Sequence, residues 1–208
     1  NIFVPITVGG GIRNVNDIKE ILINGADRVS INTAAVNDKK FIRESVKVFG
    51  SSTITITIES LKVGERYKVY TDSGRTETNI NTFEWIKEVQ DMGVGEIILT
   101  SINNEGTGKG FDLNLYEKAS KICNISLLAH GGTRNSEDIY KLFINTDIDG
   151  AIIASAFHYN YYKELLNKKK ISLRGSTNFL VNQDFKNIFF FGVKDLKKYL
   201  KSKNISIR

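Results

Sequence analysis

The sequence predicts an α/β protein built on parallel strands, and three observations predict it. Six short runs, "PITVG", "DRVSIN", "TITITIE", "GEIILTS", "ISLLAHG" and "GAIIASAF", have the length and apolar character of buried strands. Between them lie segments with apolar residues at helical spacing, several with Gly or Asn near their ends. The stretch from Gly9, "GGGIRNVNDIKEILIN", also returns from His130 as "HGGTRNSEDIYKLFIN", at an offset of 121 residues. A βαβα rhythm calls for parallel strands covered by helices, either an open doubly wound sheet or a (β/α)8 barrel.

In chain order, "PITVG" runs into a glycine triplet and is followed by the helix "VNDIKEILING". "DRVSIN" leads to the helix "DKKFIRESVKVFG", and "TITITIE" is the third strand. After it "ERYKVYTDSGR" alternates and turns, which reads as a small hairpin or a mobile loop rather than a helix. Then come the helix "TFEWIKEVQDMG", the strand "GEIILTS", the helix "NLYEKASKI", the strand "ISLLAHG", the helix "SEDIYKLFI" and the strand "GAIIASAF". An aromatic and basic excursion follows, read as an insertion over about 160–190, and "GVKDLKKYLKSKN" is the closing helix.

At 208 residues, 41% hydrophobic and 25% charged, the chain reads as one domain, 1–208. No apolar run is long enough to span a bilayer and no leader precedes the first strand, so a cytoplasmic protein without a membrane partner is expected. The single cysteine, Cys123, excludes an internal disulfide framework and a thiolate metal cluster, and reads as a small core residue. The excess of 29 Lys and Arg over 23 Asp and Glu could favour anionic partners, nucleic acid included. The lysines crowd "NKKKISLR" and "KDLKKYLKSKNISIR", however, where solvated helix faces account for them and no nucleic-acid partner is expected. The chain opens "NIFVPITV", without Met and already close to a strand, which suggests that an upstream segment is absent.

In each copy of the repeat a strand runs into a glycine pair, a polar turn and a helix that begins with Asn and Asp. Backbone amides at such a junction point outward, and glycine lets an anion approach without a Cβ in the way. Small polar residues complete each cradle from the next strand: Asn32 and Thr33 in the first, Ala154 and Ser155 in the second. An isolated Gly-Gly turn is explained as well by tight strand-to-helix packing as by phosphate binding. The duplication favours phosphate. Two cradles four strands apart fall on opposite sides of an eight-stranded ring, so their common ligand is expected to be long, with a phosphate at each end. A barrel places both at its carboxyl face.

The runs "PITVGGGIRNVNDIKEILINGADRVSINTAAV", "FGSSTITITIES", "GVGEIILTSINNEGTGKGFD" and "ASAFH" together closely resemble the cyclase subunit of imidazole glycerol phosphate synthase, from histidine biosynthesis. The resemblance covers the chain outside the late insertion. It implies a (β/α)8 TIM barrel in which Pro5 sits in the third strand, with the first two βα units missing. It also implies a lyase that adds ammonia to a bisphosphorylated aminoimidazole carboxamide ribonucleotide. The products are imidazole glycerol phosphate and aminoimidazole carboxamide ribotide. One phosphate is assigned by resemblance to Gly11, Asn32 and Thr33 and the other to Gly132, Ala154 and Ser155. Ser73 on the hairpin and Thr100 match further ligand-contacting positions. No metal or other cofactor is implied. The partner is a glutaminase subunit in a heterodimer, docked on the opposite face near Asp27. It sends ammonia from glutamine past a charged gate to which Arg28 and Glu96 correspond, Arg28 standing for the usual Lys.

Where this chain departs from the family, it does so at the acids. The family's two catalytic aspartates lie on the first and fifth strands. The first is expected upstream of Pro5, and Glu59 stands at the second, one methylene longer. In "SINNEGT", Asn103 and Glu105 replace acids, and His130 stands where a serine usually precedes the glycine pair. A lone His is more often hydrogen-bonded packing than a catalyst, but beside a cradle His130 can contact the anion. His158, in "AFH", matches the family and is placed near the barrel rim. Taken alone, Glu59 is a strand-end carboxylate in an ion pair, and Arg28 with Glu96 a buried ion pair closing the barrel bottom. An alternative role is a paralogue that binds a glutaminase and channels ammonia for amidation of surface sugars. The related two-phosphate isomerase is disfavoured by Asn32, where that enzyme tends to show glycine. Residues 1–208 by themselves are expected to be inactive.

Overall fold

Thr and Ile alternate from Thr53 to Ile58, and that alternation sorts the two faces of the longest strand. Ile54, Ile56 and Ile58 are fully buried in a core cluster with Ile42, Trp85 and Ile86 of the helices. Thr55, Thr57 and Glu59 take the other face, as a period of two requires. The computed structural model describes residues 3–167 and 189–207.

Along the chain run β1 (Thr7–Gly9), α1 (Val15–Ile23), β2 (Arg28–Ile31), α2 (Thr33–Asn37), α3 (Lys39–Phe49) and β3 (Ile54–Val63). They are followed by β4 (Arg66–Thr71), β5 (Thr76–Asn81), α4 (Thr82–Asp91), β6 (Glu96–Ser101), α5 (Leu113–Ser120) and β7 (Ser126–His130). Last come α6 (Ser136–Asn145), β8 (Gly150–Ile152), α7 (Ser155–Asn167) and α8 (Val193–Ser202). The parallel path is β1-β2-β3-β6-β7-β8, each strand beside the next in sequence. A doubly wound sheet reverses its order at a switch point; this one never does. It is a curled parallel sheet of the (β/α)8-barrel type.

β4 and β5 leave that path. β3 extends to Val63, folds back on β4 in antiparallel register, and β4 pairs in turn with β5. The hairpin expected at 65–75 is therefore a pair of hairpins. β5, "TETNIN", is too polar to read as a strand without its partner. The strand read as "GAIIASAF" ends at Ile152 and Ser155 already begins α7, because small residues such as Ala and Ser do not mark the border between strand and helix. The insertion expected over 160–190 falls mostly outside the described residues. Residues 160–167 continue α7, and Phe189 and Phe190 precede α8.

Helix entries follow their caps. Asp38 accepts from the N–H groups of Lys40 and Phe41, and Asn81 from those of Phe83 and Glu84. α3 then buries Phe41 and Ile42, and α4 buries Trp85, Ile86 and Val89. α8 buries Leu196 and Leu200, and the Tyr199 hydroxyl donates to Glu137 of α6, a bond that pushes that phenol up to about 12. Cys123 is half-buried, its thiol pushed up by burial, in keeping with a packing role. Among the described residues no helix is long and apolar enough to cross a membrane.

Candidate functional site

The sequence repeat is a repeat of geometry. Gly10 and Gly11 take φ of 101° and 72°, and Gly131 and Gly132 take 104° and 97°, conformations that L side chains rarely adopt. Each turn then enters its helix through a reciprocal capping box. The Asn14 side chain accepts from Asp17 N–H at 3.1 Å while Asp17 accepts from Asn14 N–H; Asn135 and Asp138 do the same, also at 3.1 Å. The carboxylate also takes the N–H before the cap, Arg13 to Asp17 at 2.7 Å and Arg134 to Asp138 at 2.8 Å. Even the helix ends agree. Asn24 donates its side-chain amide to the Glu20 carbonyl at 2.8 Å, and Asn145 donates to that of Lys141 at 2.7 Å.

The first turn opens on a cavity of about 660 Å³ lined by Gly11, Arg13, Asn32, Thr33, Glu59 and Ser73, among others. Five residues singled out in the sequence thus share one space: Gly11, Asn32, Thr33, Glu59 and Ser73. Asn32 and Gly74 converge on Glu59, the Asn32 amide donating to Oε2 at 2.7 Å and the Gly74 N–H at 3.0 Å. Thr33 Oγ1 accepts from Asp72 N–H at 3.0 Å, so the β4–β5 turn is latched to the cavity wall. Asp72, Ser73 and Gly74 all have positive φ, which folds that turn tightly enough to bring Ser73 inward. Asn32 Oδ1 is buried with no partner among the described residues, an acceptor left over for a bound molecule.

The second turn opens on a smaller cavity of about 150 Å³ that includes Glu105, His130, Gly132, Thr133, Ala154 and Ser155. It unites the three residues assigned to the second phosphate. Thr133 Oγ1 is likewise buried without a partner among the described residues. The two glycine pairs differ in what surrounds them. A Cβ on Gly10 or Gly11 would meet nothing within 4 Å, whereas one on Gly132 would lie 2.2 Å from the Gly110 carbonyl oxygen. In the second copy, tight packing and an outward-facing turn therefore coincide.

Strand register ties the cavities together. Glu59, Thr100, His130 and Ile152 are successive Cα partners across β3, β6, β7 and β8, so their side chains leave the sheet on one face. Thr100 lines neither cavity; it is buried, with Oγ1 3.1 Å from His130 Nδ1. Below this row, Ser30 Oγ meets Thr57 Oγ1 at 2.5 Å, and lower still Arg28 pairs with Glu96 at 2.7 Å. Glu96 also accepts from Thr55 at 3.1 Å, so the ion pair is held at the amino ends of the strands. A polar strip along β2 and β3 thus runs from the Arg28–Glu96 pair up to Glu59, beside Ile98 and Leu128 on the same face of β6 and β7.

Other residues fall elsewhere. Asn103 accepts from Lys62 N–H at 2.7 Å, on the arm of the β3–β4 hairpin, and is not part of either lining. His158 is exposed on α7, its ring against Tyr159. Asp27 lies at the amino end of β2, its carboxylate accepting from Ile6 N–H at 2.8 Å. Arg13 and Asp72 also line the first cavity; Arg13 carries a sequence signal, its place in the repeat, and Asp72 carries none. Among the described residues no group of three or more His, Cys, Asp or Glu is placed to hold a metal ion.

Fold and site together define an α/β barrel protein with two glycine-turn cavities at the carboxyl ends of its strands. Residues 1–163 match the model of the family described as "Histidine biosynthesis protein", and the chain belongs to that family. Three relatives named "Imidazole glycerol phosphate synthase subunit HisF" are similar to it. The one from Thermococcus onnurineus is 44% identical over 178 residues, covering 83% of this chain and 70% of its own. One from Bacillus cereus is 45% identical over 159 residues, covering 76% and 63%. One from Chlorobium chlorochromatii is 40% identical over 178 residues, covering 83% and 71%. The chain thus spans roughly two thirds of the length of these relatives.

Proposed function

We propose that the intact protein is the cyclase subunit of imidazole glycerol phosphate synthase. In this reading it uses ammonia to convert a bisphosphorylated aminoimidazole carboxamide ribonucleotide to imidazole glycerol phosphate and aminoimidazole carboxamide ribotide. The observation that carries it is Glu59, pinned through Oε2 in the first cavity and sharing a strand row with His130 of the second. The turns at Gly11 and Gly132 hold the two phosphates, with Asn32, Thr33 and Ser73 at one end and Ala154 and Ser155 at the other. The N–H groups of Gly11 and Gly132 have no acceptor among the described residues and suit an oxyanion. Glu59 moves the proton as the bond to ammonia forms, with the partner acid expected on a strand before Pro5.

Ammonia comes from a glutaminase subunit docked at the amino ends of the strands, near Asp27, and passes the Arg28–Glu96 pair. The polar face above that pair, through Ser30 and Thr57, leads from there to Glu59. The surface-sugar alternative is not favoured, since the family is described by histidine biosynthesis and the three relatives above carry the synthase name. The test gives the full-length protein the bisphosphate substrate with ammonium salt and looks for imidazole glycerol phosphate. With a glutaminase and glutamine as the nitrogen source, Glu96→Gln is expected to lower turnover, and free ammonium to restore most of it. Absence of product from the wild-type protein with ammonium salt overturns the reading.

A further inference from the structure

The two cavities differ in the charge they offer an anion. The first holds a permanent cation, Arg13, set against Glu59 and Asp72. Arg134, its counterpart in the repeat, is not in the second lining. Its guanidinium lies over the Phe189 ring, 5.3 Å from the centroid, and its carbonyl accepts the Phe189 N–H at 2.9 Å. The second lining instead contains a carboxylate, Glu105, and one side chain among the described residues able to carry positive charge, His130. A phosphate monoester beside an uncompensated carboxylate is repelled, and a positive charge at the same seat offsets that repulsion.

The ring is set up to supply it. Thr100 Oγ1 lies 3.1 Å from Nδ1, and a hydroxyl can donate to that nitrogen or accept from it. In the neutral form with the proton on Nε2, and in the protonated form, Nε2–H remains a donor. Protonation therefore changes the charge of the contact and keeps its donor. The titratable and charged groups that face the ring are few. Glu105 comes from the loop between β6 and α5, and Glu59 stands two strands away in the same row. From α5, the Tyr116 hydroxyl donates to the His130 carbonyl at 2.5 Å. β8 contributes Ile152 and α7 contributes Ser155, both uncharged, with His158 further along α7.

We propose that His130 is the cation that holds the anion of the second cavity, so that a ligand with two phosphate ends is held at this end according to pH and at the Arg13 end regardless of it. This rests on reading both cavities as anion seats. An imidazole changes charge between about pH 5 and 8, so retention at the second seat weakens across that interval.

Inorganic sulfate is the probe, because its double charge is constant over this interval while that of a phosphate monoester is not. Full-length, isotopically labelled protein is titrated with sodium sulfate at several pH values. NMR follows the ring signals of His130 and His158 and the amide signals of Gly11, Gly132 and Ser155. Sulfate is expected to move the His130 titration midpoint upward and leave that of His158 in place. Affinity read at Gly132 and Ser155 falls about tenfold from pH 6 to 8, while affinity read at Gly11 stays level. His130→Asn flattens the profile at low affinity, and His130→Lys flattens it at high affinity. Equal affinity at Gly132 at both pH values, or an unmoved His130 midpoint, overturns the inference even if a variant fails to fold. A complete lack of response at Gly132 and Ser155 instead overturns the anion-seat reading beneath it.

Discussion

Asn32 donates its side-chain amide to Glu59 Oε2 at 2.7 Å, and the Gly74 N–H reaches the same oxygen at 3.0 Å. Oε1 takes no hydrogen bond among the described residues, so one oxygen anchors the carboxylate, which lines the cavity, and the other is left as an acceptor.

Glu59→Gln is therefore expected to lower ammonia-dependent turnover by about 10²- to 10⁴-fold, the usual contribution of a proton-transfer group. Substrate affinity should change little. Glu59→Asp draws the carboxylate away from both donors by about an ångström and is expected to cost up to about 10²-fold. Steady-state kinetics with ammonium salt, set beside calorimetric binding, separates these outcomes; full activity in Glu59→Gln removes Glu59 from the chemistry.

The glycine pairs should respond unequally to alanine. Gly11→Ala meets open space and bears only the strain of positive φ, about 1–2 kcal/mol. Gly132→Ala adds a collision with the Gly110 oxygen and should cost about 3 kcal/mol or more, if the variant folds. Urea unfolding of the two variants measures the difference, and equal losses contradict the packing described for the second turn.

Asn14→Ala and Asn135→Ala each remove the cap of a reciprocal box, and Asn14 accepts one further N–H, that of Asn16 at 2.9 Å. Each is expected to lose about 1 kcal/mol in thermal or urea unfolding. The two losses should agree more closely with each other than with that of a surface asparagine such as Asn79, which caps no helix.

Tyr116 contributes to the stability of the fold toward alkali. Its hydroxyl is buried, bonded to the His130 and Leu99 carbonyls, and burial pushes its titration well above the usual phenol range. The folded value lies above the unfolded one, near 10. Its stabilising contribution is thus complete below about pH 10 and is lost as pH rises further, because the unfolded chain gives up the proton first. Absorbance near 295 nm should show this phenol ionising only together with unfolding. Tyr116→Phe should be less stable at neutral pH and less sensitive to alkali.

The helices that open on Asn or Asp caps are legible because their signals are local, whereas α2 (Thr33–Asn37) and α7 (Ser155–Asn167) carry no such signal and do not read as helices in the sequence. Asn and Asp three residues apart after a glycine pair specify a turn and a helix start without any distant contact. Register was not legible. Nothing in "ESLKV" or "TETNIN" says that each would pair antiparallel, since those strands are held by partners rather than by their own pattern. The same holds for the site. Gly11, Asn32, Thr33, Ser155 and Glu59 were readable from motif and position. The pinning of Glu59 by Gly74 and the alignment of Glu59, Thr100 and His130 depend on which strand lies beside which. The border between β8 and α7 was missed for a related reason: Ala and Ser suit either element.

Each glycine corner of this protein carries its own turn, cap and countercap in one short run of chain, and the second adds bonds from the Gly110 and Phe189 N–H groups. A corner of that kind is portable. Copied elsewhere in a chain, or spliced into another scaffold of parallel strands, it would arrive with its shape intact and only its surroundings left to negotiate, as the crowded second version and the roomy first already illustrate.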